Sequence, residues 1–194
     1  MARESRNWPS LRCPVCEVEF RPYKHSHRRM CCSDACRRIH EEAKYVVKRT
    51  LNVAEAAYLA GLIDGEGTIS LWKVNAPKNA RGFTHHVTFT IAQSNEPYLD
   101  EIRNMIGNGT VKLKNPGGDR GKNSKPCFGL RFNAYQTRWI LPQILPYLRL
   151  KRRQAEIVLE YFRSLHVGGR RGPSEAHLEL MEECQRLNRR GLVQ

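Results

Sequence analysis

The chain has 194 residues, of which 40% are hydrophobic and 27% charged, and its 33 Lys and Arg against 19 Asp and Glu give a formal net charge of +14 at pH 7. The most apolar segment, WILPQILPYL, is interrupted by Pro142 and Pro146, which excludes a membrane span of about 20 residues. The N-terminal MARESRNWPS lacks the apolar run of a secretory signal. The basic excess favours a polyanionic partner, with nucleic acid first and an acidic membrane surface second.

Five of the seven cysteines lie between residues 13 and 36. Cys13 and Cys16 form a C-x2-C pair, and Cys32 and Cys36 form a C-x3-C pair. Two such pairs can supply four thiolates to a tetrahedral Zn²⁺, which would stabilise a segment too small to fold by burial alone. Four thiolates leave no open coordination position, so the predicted zinc is structural. Alternative ligands are Cys31 in place of Cys32 and, more weakly, His25, His27 and His40.

The cysteine segment is similar to known zinc modules in its second half. The run CCSDAC resembles the C-S-x-x-C part of small treble-clef or ribbon-like modules. An odd cysteine count without a signal peptide argues against a secreted disulfide scaffold. We therefore predict a zinc module over residues 1–45.

Helix-like and strand-like patterns alternate after this module. Asn52 is predicted to cap a helix over VAEAAYLAGLIDG, with Glu55 completing a capping box. Pro97 opens a later helix that ends at Gly107. Alternation of apolar and polar residues predicts four strands. Their sequences are TISLWKV, FTHHVTFTIAQ, TVKLK and CFGLRF.

Three further helices are predicted towards the C-terminus. They are AYQTRWILPQILPYL, KRRQAEIVLEYFRSL and, after the joint VGGRRG, PSEAHLELMEECQRLNRR. With the first two of these helices, the predicted order after the zinc module is α-β-β-α-β-β-α-α, and the third helix follows it.

The helix predicted over VAEAAYLAGLIDG carries most of a specific motif. Residues 58–67 read YLAGLIDGEG, which resembles the LAGLIDADG signature of homing endonucleases, with Gly65 in place of Ala and Glu66 in place of Asp. Further similarity lies in TFTIAQ, IGNGTV and PYLRLKRRQA, so the resemblance extends from about residue 54 to residue 165. It implies an α/β (α+β) fold with an αββαββα core and a four-stranded antiparallel DNA-binding sheet. The core would span residues 46–167, followed by a C-terminal helical extension over residues 168–194.

A single copy of the motif implies a homodimer formed through the motif helix. Small residues there let two helices approach closely, while Leu59, Leu62 and Ile63 are predicted to pack into the domain. Gly65 and Gly67 are predicted to supply unusual backbone angles for the passage from helix to strand. The predicted dimer interface comprises Leu59, Ala60, Gly61 and Asp64.

The resemblance also assigns roles at the reaction centre. Glu66 matches the acid that binds the catalytic Mg²⁺, assisted by the backbone carbonyl of Gly65, while Asp64 is expected to brace the helix end. Gln93 matches a polar residue that orders solvent, or it is an ordinary strand-end amide. Lys151 matches a lysine that stabilises charge or positions water, or it is a plain phosphate contact. Relatives carry a basic residue just after the strand of Gln93, where this chain has Ser-Asn-Glu-Pro at residues 94–97.

A polar, basic face of the sheet is predicted to lie in the DNA major groove. The predicted DNA contacts on the sheet are Ser70, Trp72, Thr84, His86, Thr88, Thr90, Lys112, Lys114 and Arg131. Arg153 of the following helix and Arg37 and Arg38 of the zinc module extend this set. The loop 115–126, with Arg120, Lys122 and Lys125, is expected to order on DNA.

These assignments predict a Mg²⁺-dependent DNA endonuclease that makes a double-strand break with 3′ overhangs in a long, pseudo-palindromic site. The implied biological role is intron or mobile-element homing. The alternative is a non-cleaving binder, such as an intron RNA maturase or a transcription factor. The expected partners are double-stranded DNA, a second copy of the chain and, in the maturase case, intron RNA, with no membrane. We expect a bacterial, phage-encoded or organellar protein that is not secreted.

Overall fold

The computed structural model describes residues 10–21, 30–45, 47, 49–78, 82–117, 125–165 and 175–189. The chain divides into two compact units, residues 1–45 and residues 46–194. Among the described residues, every helix is too short or too polar to cross a membrane.

The described helices and strands follow the predicted order closely. The helices are α1 (Asp34–Tyr45), α2 (Val53–Glu66), α3 (Glu96–Ile106), α4 (Ala134–Ile144), α5 (Arg152–Ser164) and α6 (Glu175–Leu187). The strands are β1 (Leu11–Arg12), β2 (Glu19–Phe20), β3 (Gly67–Asn75), β4 (Phe83–Gln93), β5 (Thr110–Asn115) and β6 (Cys127–Phe132).

The first unit consists of a short hairpin followed by helix α1. Strands β1 and β2 pair antiparallel, and the turn between them is closed by hydrogen bonds from the Cys13 amide to Val18 O (3.0 Å) and from the Glu17 amide to Cys13 O (2.9 Å). Glu17 has a positive φ of 59°, which lets the chain reverse directly after Cys16. This turn, the residues just before α1 and the first turn of α1 carry the cysteines of the predicted zinc site.

The second unit is built on a four-stranded antiparallel sheet in the order β3-β4-β6-β5, which confirms the predicted sheet. Alternation along the strands turns one face of the sheet towards the helices. The central side chains of that face are less than 2% exposed, and they include Ile69, Leu71, Phe89, Ile91 and Leu130. The opposite face is left to polar residues.

Helix α2 begins at the predicted capping box. The Asn52 side chain accepts from the Glu55 amide at 2.9 Å, and the Glu55 carboxylate accepts from the Asn52 amide at 3.0 Å. Arg49 adds an ion pair to Glu55 at 2.6 Å, and this contact lowers the pKa of the Glu55 carboxyl. The start of the motif helix is therefore fixed by a local sequence signal.

The passage from α2 into β3 needs a glycine for a reason that differs from the predicted one. Gly67 follows the helix directly with φ −86° and ψ 165°, which any residue can adopt, so the prediction of unusual backbone angles is wrong. A Cβ atom on Gly67 would lie 2.7 Å from the Ile63 carbonyl oxygen and 2.8 Å from Ile63 Cα. The strand leaves so close to the last helical turn that a side chain has no room.

We expect Gly67→Ala to destabilise the chain by about 3 kcal/mol, because the new methyl group would collide with backbone atoms. Gly129→Ala is the matched control, since Gly129 also lies in a strand and its nearest neighbour would be 3.5 Å away, an ordinary contact. Chemical denaturation of both variants measures the difference. Equal stability of the two would contradict the steric explanation.

The predicted helix over residues 134–148 is shorter in the structure. Helix α4 ends at Ile144, and a 3-10 turn, Leu145–Tyr147, follows it. Pro146 lies in this turn and lacks the amide proton that an α-helix would need there.

Helix α6 packs along the free edge of β3. The Leu71 amide donates to Cys184 Sγ at 3.2 Å, and Asn188 Nδ2 donates to the Ile69 carbonyl at 3.0 Å. Because β3 is the last strand of the sheet on this side, these backbone groups have no neighbouring strand to pair with. Side chains of α6 and of the residue directly after it take the place of a fifth strand.

Candidate active site and nucleic-acid interface

Glu66 is the last residue of α2 and is exposed. The next residue, Gly67, is already paired with Ile91 of β4. The predicted metal-binding carboxylate therefore stands at the junction of the motif helix and one end of the sheet. Gly65 is also exposed, and its carbonyl belongs to the last turn, whose oxygens lack partners within the helix.

Asp64 braces this junction, as expected from the sequence. Its carboxylate accepts from the Arg149 amide at 2.8 Å and from the Lys151 amide at 2.9 Å. The Asp64 carbonyl accepts from Lys151 Nζ. Both parts of Asp64 therefore bind the segment that leads into α5.

Lys151 is half-buried beside these two acids. Burial lowers the pKa of its ammonium group, while the charges of Asp64 and Glu66 act in the opposite direction. The structure thus brings Lys151 and Glu66 into one electrostatic environment, although they are far apart in sequence.

Gln93 is half-buried at the last position of β4 and pairs with Phe128. It lies two residues beyond Ile91, the partner of Gly67, so it belongs to the same end of the sheet as Glu66. The strand alternation places Gln93 on the side of the sheet from which α2 arrives. The three predicted catalytic residues therefore lie at the same end of the sheet.

The exposed face of α2 differs from the predicted dimer interface. Leu59 and Ala60 are 0% exposed and pack in the core of their own chain, so their assignment to the interface is wrong. Ala57, Gly61 and Gly65 are exposed and recur every four residues along one face. Of the four predicted interface residues, only Gly61 is exposed on this face. The other exposed residues of α2 are Val53, Ala54, Tyr58 and Glu66.

The polar face of the sheet carries most of the predicted DNA contacts. The strand register places Ser70 opposite Thr88 and Trp72 opposite His86. The same face continues through Arg131 and Lys112 into the other two strands. The exposed predicted contacts are Trp72, Thr84, His86, Lys112, Lys114 and Arg131, while Ser70 and Thr88 are half-buried.

Trp72 is held in place on this face. Its Nε1 donates to Thr88 Oγ1 at 2.8 Å, and its ring meets that of His86 edge-on at a centroid distance of 5.4 Å. Thr90 is only 8% exposed, so its predicted DNA contact would need its neighbours to move and stays a prediction.

Arg153 is engaged within the chain. Its Nε and Nη2 donate to the two carboxylate oxygens of Glu183 in α6 at 2.7 and 2.9 Å. The same contact lowers the pKa of the Glu183 carboxyl. The predicted DNA contact is thus an anchor for α6 in the free chain. The sequence held no signal for this pair, because 30 residues separate its members.

The sulfur atoms of Cys13, Cys16, Cys32 and Cys36 all lie within 4.8 Å of one another. Adjacent pairs are 3.3 Å apart (Cys16 and Cys32) and 3.7 Å apart (Cys32 and Cys36). Four sulfurs at about 2.3 Å from one tetrahedral zinc would stand about 3.8 Å apart, so the cluster fits the ion. Cys31 is buried outside this cluster, which favours Cys32 of the two alternatives.

Backbone amides favour the thiolate form of Cys13. Burial raises the pKa of this thiol, but hydrogen bonds from the amides of Cys32, Cys16 and Val15 outweigh burial and lower the pKa to about 6. Metal ligation requires the deprotonated form.

The basic residues of this unit lie on α1. Arg37 is exposed and forms an ion pair with Asp34 at 3.5 Å, whereas Arg38 is half-buried. His40, a weaker candidate ligand, is outside the sulfur cluster. The other candidate ligands, His25 and His27, and the loop residues Arg120 and Lys122 lie outside the described residues; Lys125 is exposed.

Comparison with known proteins decides the family. The family model of the LAGLIDADG endonucleases matches residues 59–159, just over half of the chain. The chain belongs to the LAGLIDADG endonuclease family. The match begins within α2 and ends within α5, so it contains Glu66, Gln93 and Lys151.

Two curated relatives are similar in sequence. DNA endonuclease I-CvuI of Chlorella vulgaris is 33% identical over 111 residues, which cover 56% of this chain and 64% of the relative. DNA endonuclease I-CreI of Chlamydomonas reinhardtii is 31% identical over 112 residues, which cover 56% of this chain and 62% of the relative. The matched region spans less than two-thirds of the length of either relative.

Solved structures share the fold. The archaeal intron-encoded homing endonuclease I-Vdi141I, complexed with DNA, aligns with a TM-score of 0.53 at 19% identity over 72% of this chain and 87% of that chain. I-CvuI in complex with the I-CreI target aligns with a TM-score of 0.51 at 24% identity over 70% of this chain and 83% of that chain. At these identities the likeness supports the α/β fold of the LAGLIDADG endonuclease core.

Proposed function

We propose that this LAGLIDADG protein is a site-specific DNA endonuclease that uses Mg²⁺ bound at Glu66. The observation that carries the proposal is the position of Glu66, Lys151 and Gln93 at the same end of a sheet whose open face is polar and basic. The net charge of +14 supports a nucleic-acid partner. The two curated relatives are themselves DNA endonucleases.

The donor set at the end of α2 suits magnesium. The Glu66 carboxylate and the Gly65 carbonyl are exposed oxygen donors, which are the ligands that a hard divalent cation prefers. When bound, the ion would supply Lewis-acid stabilisation of phosphoryl oxygens and a more acidic water. Lys151, held by Asp64, would stabilise the negative charge that develops on the phosphodiester, and Gln93 would orient the attacking water.

One chain offers few oxygen ligands, so we propose a homodimer with two symmetric copies of Glu66 near its axis. The exposed stripe of Ala57, Gly61 and Gly65 on α2 lets two motif helices approach closely. Two copies would read a nearly palindromic site and cut both strands. The homing of an intron or other mobile element is the biological role that follows from such a cut.

We expect Gly61→Leu to weaken the dimer by about two orders of magnitude, because the new side chain would stand between the two helices. A Cβ atom on Gly61 meets nothing within 4 Å in the single chain, and leucine favours helix, so the chain itself should be at least as stable. Sedimentation equilibrium without DNA measures the dissociation constant. Asn104→Leu, at an exposed position of α3, is the matched control. An unchanged dimer in Gly61→Leu would exclude this face.

We propose that the cysteine unit binds structural zinc and lengthens the contact with DNA. The four clustered sulfurs fit the ion, and Arg37 presents a basic side chain on α1. Arg38 and further basic residues of the same segment add to this charge.

Cleavage of a randomised-site DNA library by the purified protein, with Mg²⁺ against EDTA, tests the proposed function. Metal-dependent cuts at one long, pseudo-palindromic sequence are the expected result. Binding without cleavage by a verified dimer would overturn the nuclease and support the non-cleaving alternative, an intron RNA maturase or a transcription factor.

A further inference from the structure

Gly129 leaves a depression in the polar face of the sheet, and the side chain of Arg131 leans into it. The position that a Cβ atom would take on Gly129 lies 3.9 Å from Arg131 Nε and 3.5 Å from Thr90 Oγ1. In the strand register Gly129 stands between Ala92 of β4 and Lys112 of β5. We call Gly129, Ala92 and Thr90 the arginine seat.

The side chain of Arg131 extends along β6 towards Gly129. Arg131 and Gly129 are two residues apart on one face of β6, which is about 6.6 Å along the strand. Because Nε lies over Gly129, the side chain runs along the strand rather than straight out from it. Gly129 pairs with Ala92, which directly precedes Gln93. The lean therefore points to the end of the sheet where Gln93 and Glu66 lie.

The base of the arginine seat contains the hydroxyl group of Thr90, which could form a further hydrogen bond. Thr90 is 8% exposed, and its buried hydroxyl has no hydrogen-bond partner within the described structure. Buried hydroxyl groups are nearly always hydrogen-bonded in folded proteins. A polar group brought into the seat, or a shift of the Arg131 guanidinium, would give this hydroxyl a partner.

The end of the sheet towards which Arg131 leans carries negative charges that a cation would balance. The carboxylates of Glu66 and Asp64 are already there, and a phosphodiester would add a further negative charge. Lys151 is a nearby cation, but its ammonium group is bound to the Asp64 carbonyl. The segment after Gln93, residues 94–97, supplies no cation. Arg131 can supply one from the neighbouring strand.

On the basis of the proposed endonuclease function, we propose that Arg131 binds the phosphodiester next to the cut and that Gly129 positions it there. A guanidinium group binds two phosphate oxygens at once in a fixed fork. With no side chain at Gly129, the arginine lies low on the polar face and reaches towards the end of the sheet at which β4 finishes. A larger residue at position 129 would push Arg131 upright and away from that end.

The test uses a duplex that carries the site recovered from the library, with single-turnover cleavage in Mg²⁺ and affinity measured in Ca²⁺. We expect Arg131→Ala to slow cleavage about 100-fold at saturating protein. Arg131→Lys should recover part of the rate, because it keeps the charge but not the fork. Gly129→Val should slow cleavage about tenfold or more through misplacement of Arg131.

The double variant decides whether Gly129 acts through Arg131. Gly129→Val combined with Arg131→Ala should be no slower than Arg131→Ala alone, since the residue to be positioned is absent. Thr110→Val is the control, because Thr110 is exposed and flanks Arg131 on the side away from the seat. Thermal melting of each variant checks that it is folded.

The outcomes separate this inference from the function on which it rests. The inference would be overturned if the rate losses of the two single variants multiplied in the double variant. It would also be overturned if Arg131→Ala or Gly129→Val cut at the wild-type rate. In both cases the endonuclease function would stand. A wild-type protein that cuts no DNA would overturn both.

Discussion

Glu66→Gln is expected to abolish DNA cleavage and to leave DNA binding intact. Glu66 is exposed at the end of α2, so the change removes a charge without disturbing the core. Loss of the carboxylate would remove the proposed magnesium ligand, and a catalytic metal contributes several kcal/mol of transition-state stabilisation. The cleavage rate should fall by about three orders of magnitude or more.

Glu101→Gln is the matched control for this change, because Glu101 is an exposed glutamate of α3 outside the predicted site. Single-turnover cleavage in Mg²⁺ and fluorescence anisotropy with labelled DNA in Ca²⁺ separate chemistry from binding. Full cleavage by Glu66→Gln would show that the metal is held elsewhere. Equal losses in both variants would point to a general effect of charge on DNA binding.

Cys13→Ser is expected to release zinc and unfold the first unit. Zinc ligation contributes about 10–16 kcal/mol to the folding of small zinc modules, and a hairpin with one helix has little other stabilisation. Because the cysteine unit and the sheet unit are separate compact units, the sheet unit should keep its melting temperature. Chelation of the metal should reproduce the effect in the unmodified chain.

Cys31→Ala provides the control, since Cys31 is buried outside the sulfur cluster. Zinc content per chain and the spread of amide resonances from residues 10–45 are the measurements. We expect one zinc per chain in Cys31→Ala and none in Cys13→Ser. Zinc retained by Cys13→Ser in a folded unit would rule out the tetrathiolate site.

Local signals in the sequence predicted much of the fold. The capping box at Asn52 and Glu55 and the glycine that ends α3 depend on neighbouring residues, so they can be read directly. Strand alternation likewise separated the buried face from the polar face of the sheet. The motif located Glu66 because ten consecutive residues carry it.

Other features depend on packing that no local pattern reports. Helix α2 is apolar on nearly every side, so its sequence did not reveal that Ala60 faces inward while the neighbouring Gly61 faces out. The pair of Arg153 and Glu183 joins distant parts of the chain. The need for glycine at position 67 arises from a close approach to Ile63 that exists only in the folded chain.

The contact of α6 with β3 also bears on how the protein behaves in concentrated solution. An uncovered edge strand is a template for strands of other molecules, and edge-to-edge pairing leads to aggregation. Here Cys184 and Asn188 occupy the backbone groups of Leu71 and Ile69 that such a strand would use. On the opposite edge, lysines at every second position of β5 and an irregularity between Leu113 and Asn115 disfavour the same pairing. Removal of α6 should therefore lower the solubility of the protein before it unfolds the sheet.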